Sequence, residues 1–174
     1  MSKKVTVQLT INKKTIKEEV SPQRSLADFL HEKLGLTGTK VCCGMGVCKA
    51  CTVAVKREGE NKLERAQSCI TPVASLSGSE ITTVEGLSEE GKPNKLQQAF
   101  LKEYSFQCGF STAGFLMGAT LLMDELKRQP VKKSELDSAI EKSLGEHVCR
   151  CTGYVRYYKA IKETILSTPG LTTA

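Results

Sequence analysis

From Val5 onward apolar and polar residues alternate strictly. Val5, Val7, Leu9 and Ile11 face one way and Thr6, Gln8 and Thr10 the other, the period of a half-buried strand. Asn12-Lys13-Lys14 supplies a turn, and Thr15 to Val20 can pair back as a hairpin. Ser25 then suits a helix N-cap, with Leu26, Phe29, Leu30 and Leu34 at helical spacing before Gly35 ends the run. Short β-branched stretches at Thr52 to Val55 and Ile81 to Val84 add strands, separated by turn-rich sequence. Together these predict an α+β domain of about 85 residues.

The second half changes period. Gly86 to Pro93 carries Gly, Ser, Pro and charge and reads as a linker. Four helical patterns follow, near Asn94 to Tyr104, Thr112 to Lys127, Ser134 to Leu144 and Tyr154 to Leu166, which predict a small bundle. The second is nearly all apolar and should be surrounded by neighbours. Pro130 closes it, and Ser134 with Asp137 resembles a capping box for the next. On the last, Tyr154, Tyr158, Ile161 and Ile165 fall on one face. No internal repeat or low-complexity tract is visible.

Composition narrows the function. The longest apolar run, Ala113 to Met123, is about half of the ~20 residues a membrane span needs, so direct membrane insertion is not expected. Lys3 and Lys4 precede an alternating strand rather than a signal-peptide core. A cytoplasmic chain is the expectation, with export alongside a partner left open. The net charge of +6 is scattered and there is no Trp, which argues against a nucleic-acid surface. Eight Cys in such a chain point to metal binding rather than disulfides.

Cys43, Cys48 and Cys51 stand at C-x4-C-x2-C, with Cys69 seventeen intervening residues later. This is the plant-type spacing of a [2Fe-2S] cluster. Three of the four thiolates come from one loop, where Gly44 and Gly46 permit tight turns and close approach of backbone amides. A zinc site would show paired C-x2-C knuckles, and only one is present. Cys42 neighbours the first ligand and should point away from it. In the second half Cys149 and Cys151 form C-x-C, so both thiols can face one side, and Cys108 precedes the apolar helix. These three make a second, less complete site.

Over almost its full length the sequence resembles the two-cluster iron–sulfur subunit of the molybdenum hydroxylases, the group of xanthine dehydrogenase, aldehyde oxidoreductase and aerobic carbon monoxide dehydrogenase. The resemblance is carried by Gly38-Thr39-Lys40, the loop from Cys43 to Val53, Ser68-Cys69, and Ile81 to Leu87. In the second half it is carried by Gln97 to Phe100, Gln107-Cys108-Gly109, and Cys149-Arg150-Cys151-Thr152-Gly153-Tyr154. It implies a β-grasp ferredoxin domain over residues 1–86, a linker over 87–93 and a four-helix domain over 94–174, each domain with one [2Fe-2S] cluster. It further implies a large partner subunit holding molybdenum on a molybdopterin cytosine dinucleotide, and a flavin (FAD) or haem-bearing cytochrome partner as electron acceptor. Gln107 and the Cys149–Cys151 segment would approach the pterin. The chain itself would be a non-catalytic electron carrier, and it shows no nucleophile–base pairing of its own.

The sequence also departs from that family. Where the pattern is Gln-Cys-Gly-aromatic-Cys-Thr-Pro-Gly, this chain has Ser111 at the second ligand position and Ala113 at the proline. Cys42 and Lys49 replace glycines of the first loop. With Ser111 there, either the cluster remains, with a serine alkoxide, water or hydroxide on one iron, or it has been lost and the remaining thiols are structural. His31 and His147 read as surface or capping residues, and the charges at Lys56-Arg57 and Lys62 to Arg65 as a solvated hairpin. Two rival functions are a free-standing ferredoxin and a redox or iron sensor. The hydroxylated substrate and the oligomer are not legible, because the substrate pocket would lie on another chain.

Overall fold

The protein is described here by a computed structural model covering residues 4–88 and 90–174. Lys3 of the amino-terminal stretch and Glu89 of the linker segment lie outside the described residues. The architecture is mixed α+β. Strands β1 (Val5–Ile11) and β2 (Lys14–Val20) form the expected hairpin, with Asn12 and Lys13 both at positive φ in the turn. Ser25 caps a short helical segment by accepting from the Asp28 amide: α1 (Leu26–Asp28) runs into a wider π-helical turn over Phe29–Lys33. β3 (Thr52–Lys56), β4 (Glu64–Gln67) and β5 (Glu80–Thr82) complete a sheet of order β2-β1-β5-β3-β4. In it β5 runs parallel to β1, and the other pairs are antiparallel.

The inward positions of β1 (Val7, Leu9, Ile11) pack with Leu26, Phe29, Leu30, Val53, Val55 and Ile81 in the first core. β3 is the pivot of the molecule. Val53 and Val55 face this core, whereas Ala54 points to the opposite side and joins a second core built by helices. A small residue there lets a helix lie close on the sheet.

Helix α2 (Lys95–Lys102) begins with a complete capping box, Asn94 and Gln97 bonding each other's backbone amides. Then come α3 (Thr112–Arg128), α4 (Leu136–Leu144) and α5 (Val155–Leu166). Leu96, Phe100, Phe115, Met117, Leu126, Ile140, Tyr157 and Ile161 are among the residues that fill the second core. Leu87, from the segment read as a linker, is buried in it as well.

Several local expectations need correction. No capping box forms at Ser134 and Asp137: a 3-10 turn over Lys133–Glu135 precedes α4, and no side chain caps it. The buried stripe of α5 runs through Tyr157, Ala160, Ile161, Thr164 and Ile165, so Tyr157 replaces Tyr154 and Tyr158 as the inner aromatic. β6 (Val131–Lys132) and β7 (Thr172–Thr173) form a short parallel pair that no alternation announced. Among the described residues no helix is long and apolar enough to cross a membrane.

The β3–β4 hairpin exists, but it is not solvated at Arg65. That side chain is half-buried, and its guanidinium donates to the Ser143 carbonyl at 2.7 Å and to its hydroxyl at 3.3 Å, tying the sheet to the end of α4. Burial pulls its pKa down, and the carboxylates of Glu146 and Glu125 work against that pull. Arg65→Ala removes a charge-assisted bond and the packing of the long stem, and is expected to cost about 1–3 kcal/mol. Urea unfolding checks this, and an unchanged midpoint would show that the tie carries no stability.

Candidate metal centres

The first loop is hung between fixed points. The Glu85 carboxylate accepts from the Gly38 amide at 2.8 Å and also bonds the Thr83 hydroxyl. The ring Nε2–H of His31 donates to the Thr39 carbonyl at 2.6 Å. His31 is thus a loop anchor rather than a surface residue, and the Gly38-Thr39 and Thr83-to-Gly86 segments hold the entry of the cysteine loop. At its exit, the Thr52 hydroxyl donates to the Lys49 carbonyl at 2.7 Å and the Ser68 hydroxyl to the Cys51 carbonyl at 2.9 Å. Between these anchors Gly44 and Gly46 take φ of +69° and +75°, and a Cβ on Gly46 would meet Ile70 Cδ1 at 2.5 Å.

Four thiols converge here as two pairs. The Cys48 amide donates to Cys43 Sγ at 3.4 Å, and Cys51 Sγ lies 3.3 Å from Cys69 Sγ. A disulfide would close that gap to about 2.05 Å. A tetrahedral metal with bonds of about 2.3 Å would set its thiolates roughly 3.8 Å apart, so the separation suits two ligands of one metal. Backbone amides of Cys48 and Met45 bring the Cys43 thiol down to about 6, while burial and the Cys51 thiol push Cys69 up to about 11. Burial also raises Cys48. Such a set cannot ionise together without a cation among the sulfurs, and a bound metal removes that conflict by taking them all as thiolates. Among the described residues no three Cys, His, Asp or Glu side chains gather as a single-ion site needs. The thiols gather in twos, which is how a two-iron group takes them. Cys42 is exposed and outside both pairs.

The second site repeats the arrangement with one change. Cys151 Sγ lies 3.4 Å from Cys108 Sγ, across from the start of α3. Cys149 is buried, which raises its pKa, but the Thr152 hydroxyl at 3.1 Å, the Ser111 hydroxyl and the Thr152 and Cys151 amides together outweigh burial and hold the thiol below its usual range. The Cys149 amide donates to the Tyr154 hydroxyl at 3.2 Å, and Tyr154 sits at φ +70° to start α5. Ala113 is buried in the first turn of α3 and keeps the amide that a proline would lack. Gln107 is exposed and shares a shallow surface pocket with Thr152, Arg156 and Phe106.

The two sites are joined directly. The Val148 amide donates to the Cys48 carbonyl at 3.1 Å, which links a residue beside one ligand to a ligand of the other site. Lys49, at φ +60°, donates to the Gly46 carbonyl at 3.2 Å and pairs with Glu146 at 3.3 Å. Gly114 of α3 lies so close that a Cβ would meet the Lys49 carbonyl oxygen at 2.4 Å and Ala50 Cα at 2.9 Å. His147 was expected at the surface and is instead 2% exposed, packed on Phe115 with ring centroids 5.0 Å apart. Neither ring nitrogen has an aligned partner. Burial, and then the Arg65 charge, push its pKa down to about 4, so the imidazole is neutral.

Comparison with known proteins fits this geometry. The family described as a 2Fe-2S iron-sulfur cluster binding domain matches residues 9–74, and the family described as a [2Fe-2S] binding domain matches residues 83–162. The chain is 37% identical over 169 residues to the nicotine 6-hydroxylase small subunit of Paenarthrobacter nicotinovorans, covering 97% of this chain and 92% of that one. The chain belongs to the iron–sulfur small-subunit family of the molybdenum hydroxylases. Within that family it is also 39% identical to the caffeine dehydrogenase subunit gamma of Pseudomonas sp. strain CBB1, over 90% of this chain and 88% of that one. The crystal structure of quinoline 2-oxidoreductase from Pseudomonas putida 86 superposes with a TM-score of 0.78 at 36% identity, covering 98% of this chain and 94% of its own. The members of this family are electron-transfer subunits with two [2Fe-2S] domains, and the matched halves of this chain are those two domains.

Proposed function

We propose that this chain relays electrons within a multi-subunit molybdenum hydroxylase, entering at the Cys108–Cys149–Cys151 site and leaving at the Cys43–Cys48–Cys51–Cys69 site. When bound, each [2Fe-2S] cluster supplies a one-electron carrier, between a molybdenum–pterin centre in a large partner and a flavin or haem partner. The observation that carries this reading is the direct bond from Val148 to the Cys48 carbonyl, which puts the two ligand sets in bonded contact. In this reading Cys43 and Cys48 hold one iron and Cys51 and Cys69 the other, as their pairing suggests. Residues 1–86 act as a β-grasp ferredoxin unit and 94–174 as a four-helix unit, with 87–93 between them. The work is cytoplasmic.

The surface supports two docking faces. Among the described residues, all the exposed large apolar ones except Leu101 and Leu166 lie within four positions of a ligand cysteine. Met45, Val47 and Ile70 surround the first site; Phe106, Phe110, Val148 and Val155 surround the second. Apolar patches of this kind mark partner contacts. Gln107, on the second face, is assigned to the pterin.

Affinity purification of the tagged chain from its native cells tests the reading. A large molybdenum-containing chain and a flavin or haem chain should co-purify, with about four irons per copy of this chain. The chain alone should not turn substrate over. Purification as a lone iron–sulfur protein would instead favour the free carrier or the sensor.

A further inference from the structure

Lys49 is the only charged residue between Cys43 and Cys51. It holds φ +60°, in the left-handed region that favours glycine over any residue with a side chain. That side chain is not released to solvent. Only 18% of it is exposed, and the ammonium turns back over the loop to donate to the Gly46 carbonyl at 3.2 Å. The carbonyl is fixed in turn, because Gly46 sits at φ +75° with Ile70 packed against it. The carbonyl of Lys49 itself accepts from the Thr52 hydroxyl at 2.7 Å and lies against Gly114 of α3. A lysine that served only solubility would carry its head into water from a relaxed backbone. This one is held at both ends, with its charge on the short loop that joins Cys43 to Cys48.

The ammonium also faces the Glu146 carboxylate at 3.3 Å, across the seam between the two ligand sets. Glu146 stands three residues before Cys149, and Val148 between them bonds the Cys48 carbonyl at 3.1 Å. The seam is therefore polarised, with the cation on the exit side and the anion on the entry side. The two charges do not cancel at the first site. The Glu146 side chain is 72% exposed and screened by water, whereas the enclosed ammonium is screened much less.

We propose that Lys49 sets the potential of the first cluster, its fixed positive charge favouring the reduced form and so drawing the electron from the second site. Net charge beside a cluster is one of the quantities that fix its potential, and an added cation raises it. The proposal deepens the relay reading above and rests on it. The step it favours moves one electron from the second site to the first, oxidising one and reducing the other, with no bond or proton exchanged.

The glycine-favouring backbone makes the charge removable in two ways. Lys49→Gly deletes the charge and relieves the backbone, and Lys49→Met deletes it while keeping the stem and the same φ. Lys49→Arg keeps the charge. The purified complex is compared as wild type, as these three variants and as Glu146→Gln, by redox titration with EPR, iron per chain and thermal unfolding. Iron should stay at about four per chain throughout. Lys49→Gly and Lys49→Met should lower the first midpoint alike, weakening the first site's hold on the electron by about three- to tenfold, where tenfold is about 59 mV for one electron. Lys49→Arg should keep the wild-type midpoint. Glu146→Gln should not lower it, because the Gly46 carbonyl still holds the ammonium.

An unchanged first midpoint in Lys49→Gly and Lys49→Met overturns the proposal. A fall in only one of them does so too, since it traces the shift to the backbone or the stem. A fall in Lys49→Arg or in Glu146→Gln as large as in Lys49→Gly would assign the effect to packing across the seam, and loss of the first signal from the Lys49 variants would assign the residue to holding iron. Either result overturns it. Failure of the two-cluster reading looks different, because a signal and its iron would then be missing from wild type, and this proposal falls with it.

Discussion

Gly114→Ala is expected to destabilise the protein by about 1–3 kcal/mol, against the ~1 kcal/mol that an alanine normally adds to a helix interior. The added methyl would meet the Lys49 carbonyl oxygen at 2.4 Å and Ala50 Cα at 2.9 Å, and both are backbone atoms of the cysteine loop. Backbone fixed by the Thr52 hydroxyl and by strand β3 has no rotamer to change. Relief must come from parting α3 and the loop, which lengthens the contact between the two ligand sets. Gly118 provides the control on the same helix, because a methyl there meets the side-chain ends of Leu144 and His147 at 2.6 and 2.8 Å. Thermal unfolding of both variants, with the magnetic coupling between the reduced clusters read by EPR, gives the comparison. A Gly114→Ala protein more stable than wild type, with coupling intact, would show that the approach is not tight.

Cys51→Ala is expected to remove the first cluster and spare the second. Cys51 is 1% exposed and lies 3.3 Å from Cys69, so its removal leaves Cys69 without its thiol partner in an enclosed site. The second set hangs on other elements, Cys108 before α3 and Cys149 and Cys151 before α5. Iron per chain should fall to about half, with one of two EPR signals gone. Cys42→Ser, at an exposed thiol outside both pairs, should leave iron unchanged. Loss of both signals in Cys51→Ala would mean that the halves cannot hold iron separately.

The first centre was legible because it is local. Three of its ligands share nine residues, and the glycines that shape the loop stand between them. The hairpin and the four helices were legible from period alone. What escaped depends on contacts far apart in sequence. Arg65 looks like one charge in a polar hairpin, and only its bond to Ser143, 78 positions away, makes it internal. His147 gives no periodic signal, since it lies in the turn after α4 and is buried by Phe115 and Gly118 of another helix. Ser111 was visible as a departure, but its partner Tyr157 lies 46 positions on, and helical phase alone favoured Tyr154 and Tyr158 for the inner face. Ser134 and Asp137 carry the pattern of a capping box without forming one, whereas Asn94 and Gln97 form one three residues apart in a stretch whose pattern is polar.

The Val148 amide on the Cys48 carbonyl also imposes a timetable on biosynthesis. The ribosome delivers Cys43 to Cys69 about 80 residues ahead of Cys149, so the first loop is complete while the segment that will cover it is still unmade. During that interval Cys48, Lys49 and Ala50 are open from the side that Gly114 and Val148 later occupy. Once α3 and the Val148 segment settle, they lie against the backbone of Cys48, Lys49 and Ala50, and Cys48 is 8% exposed. The first loop is therefore finished in sequence well before the two segments that close on its backbone, and the order of synthesis runs from the exit site to the entry site.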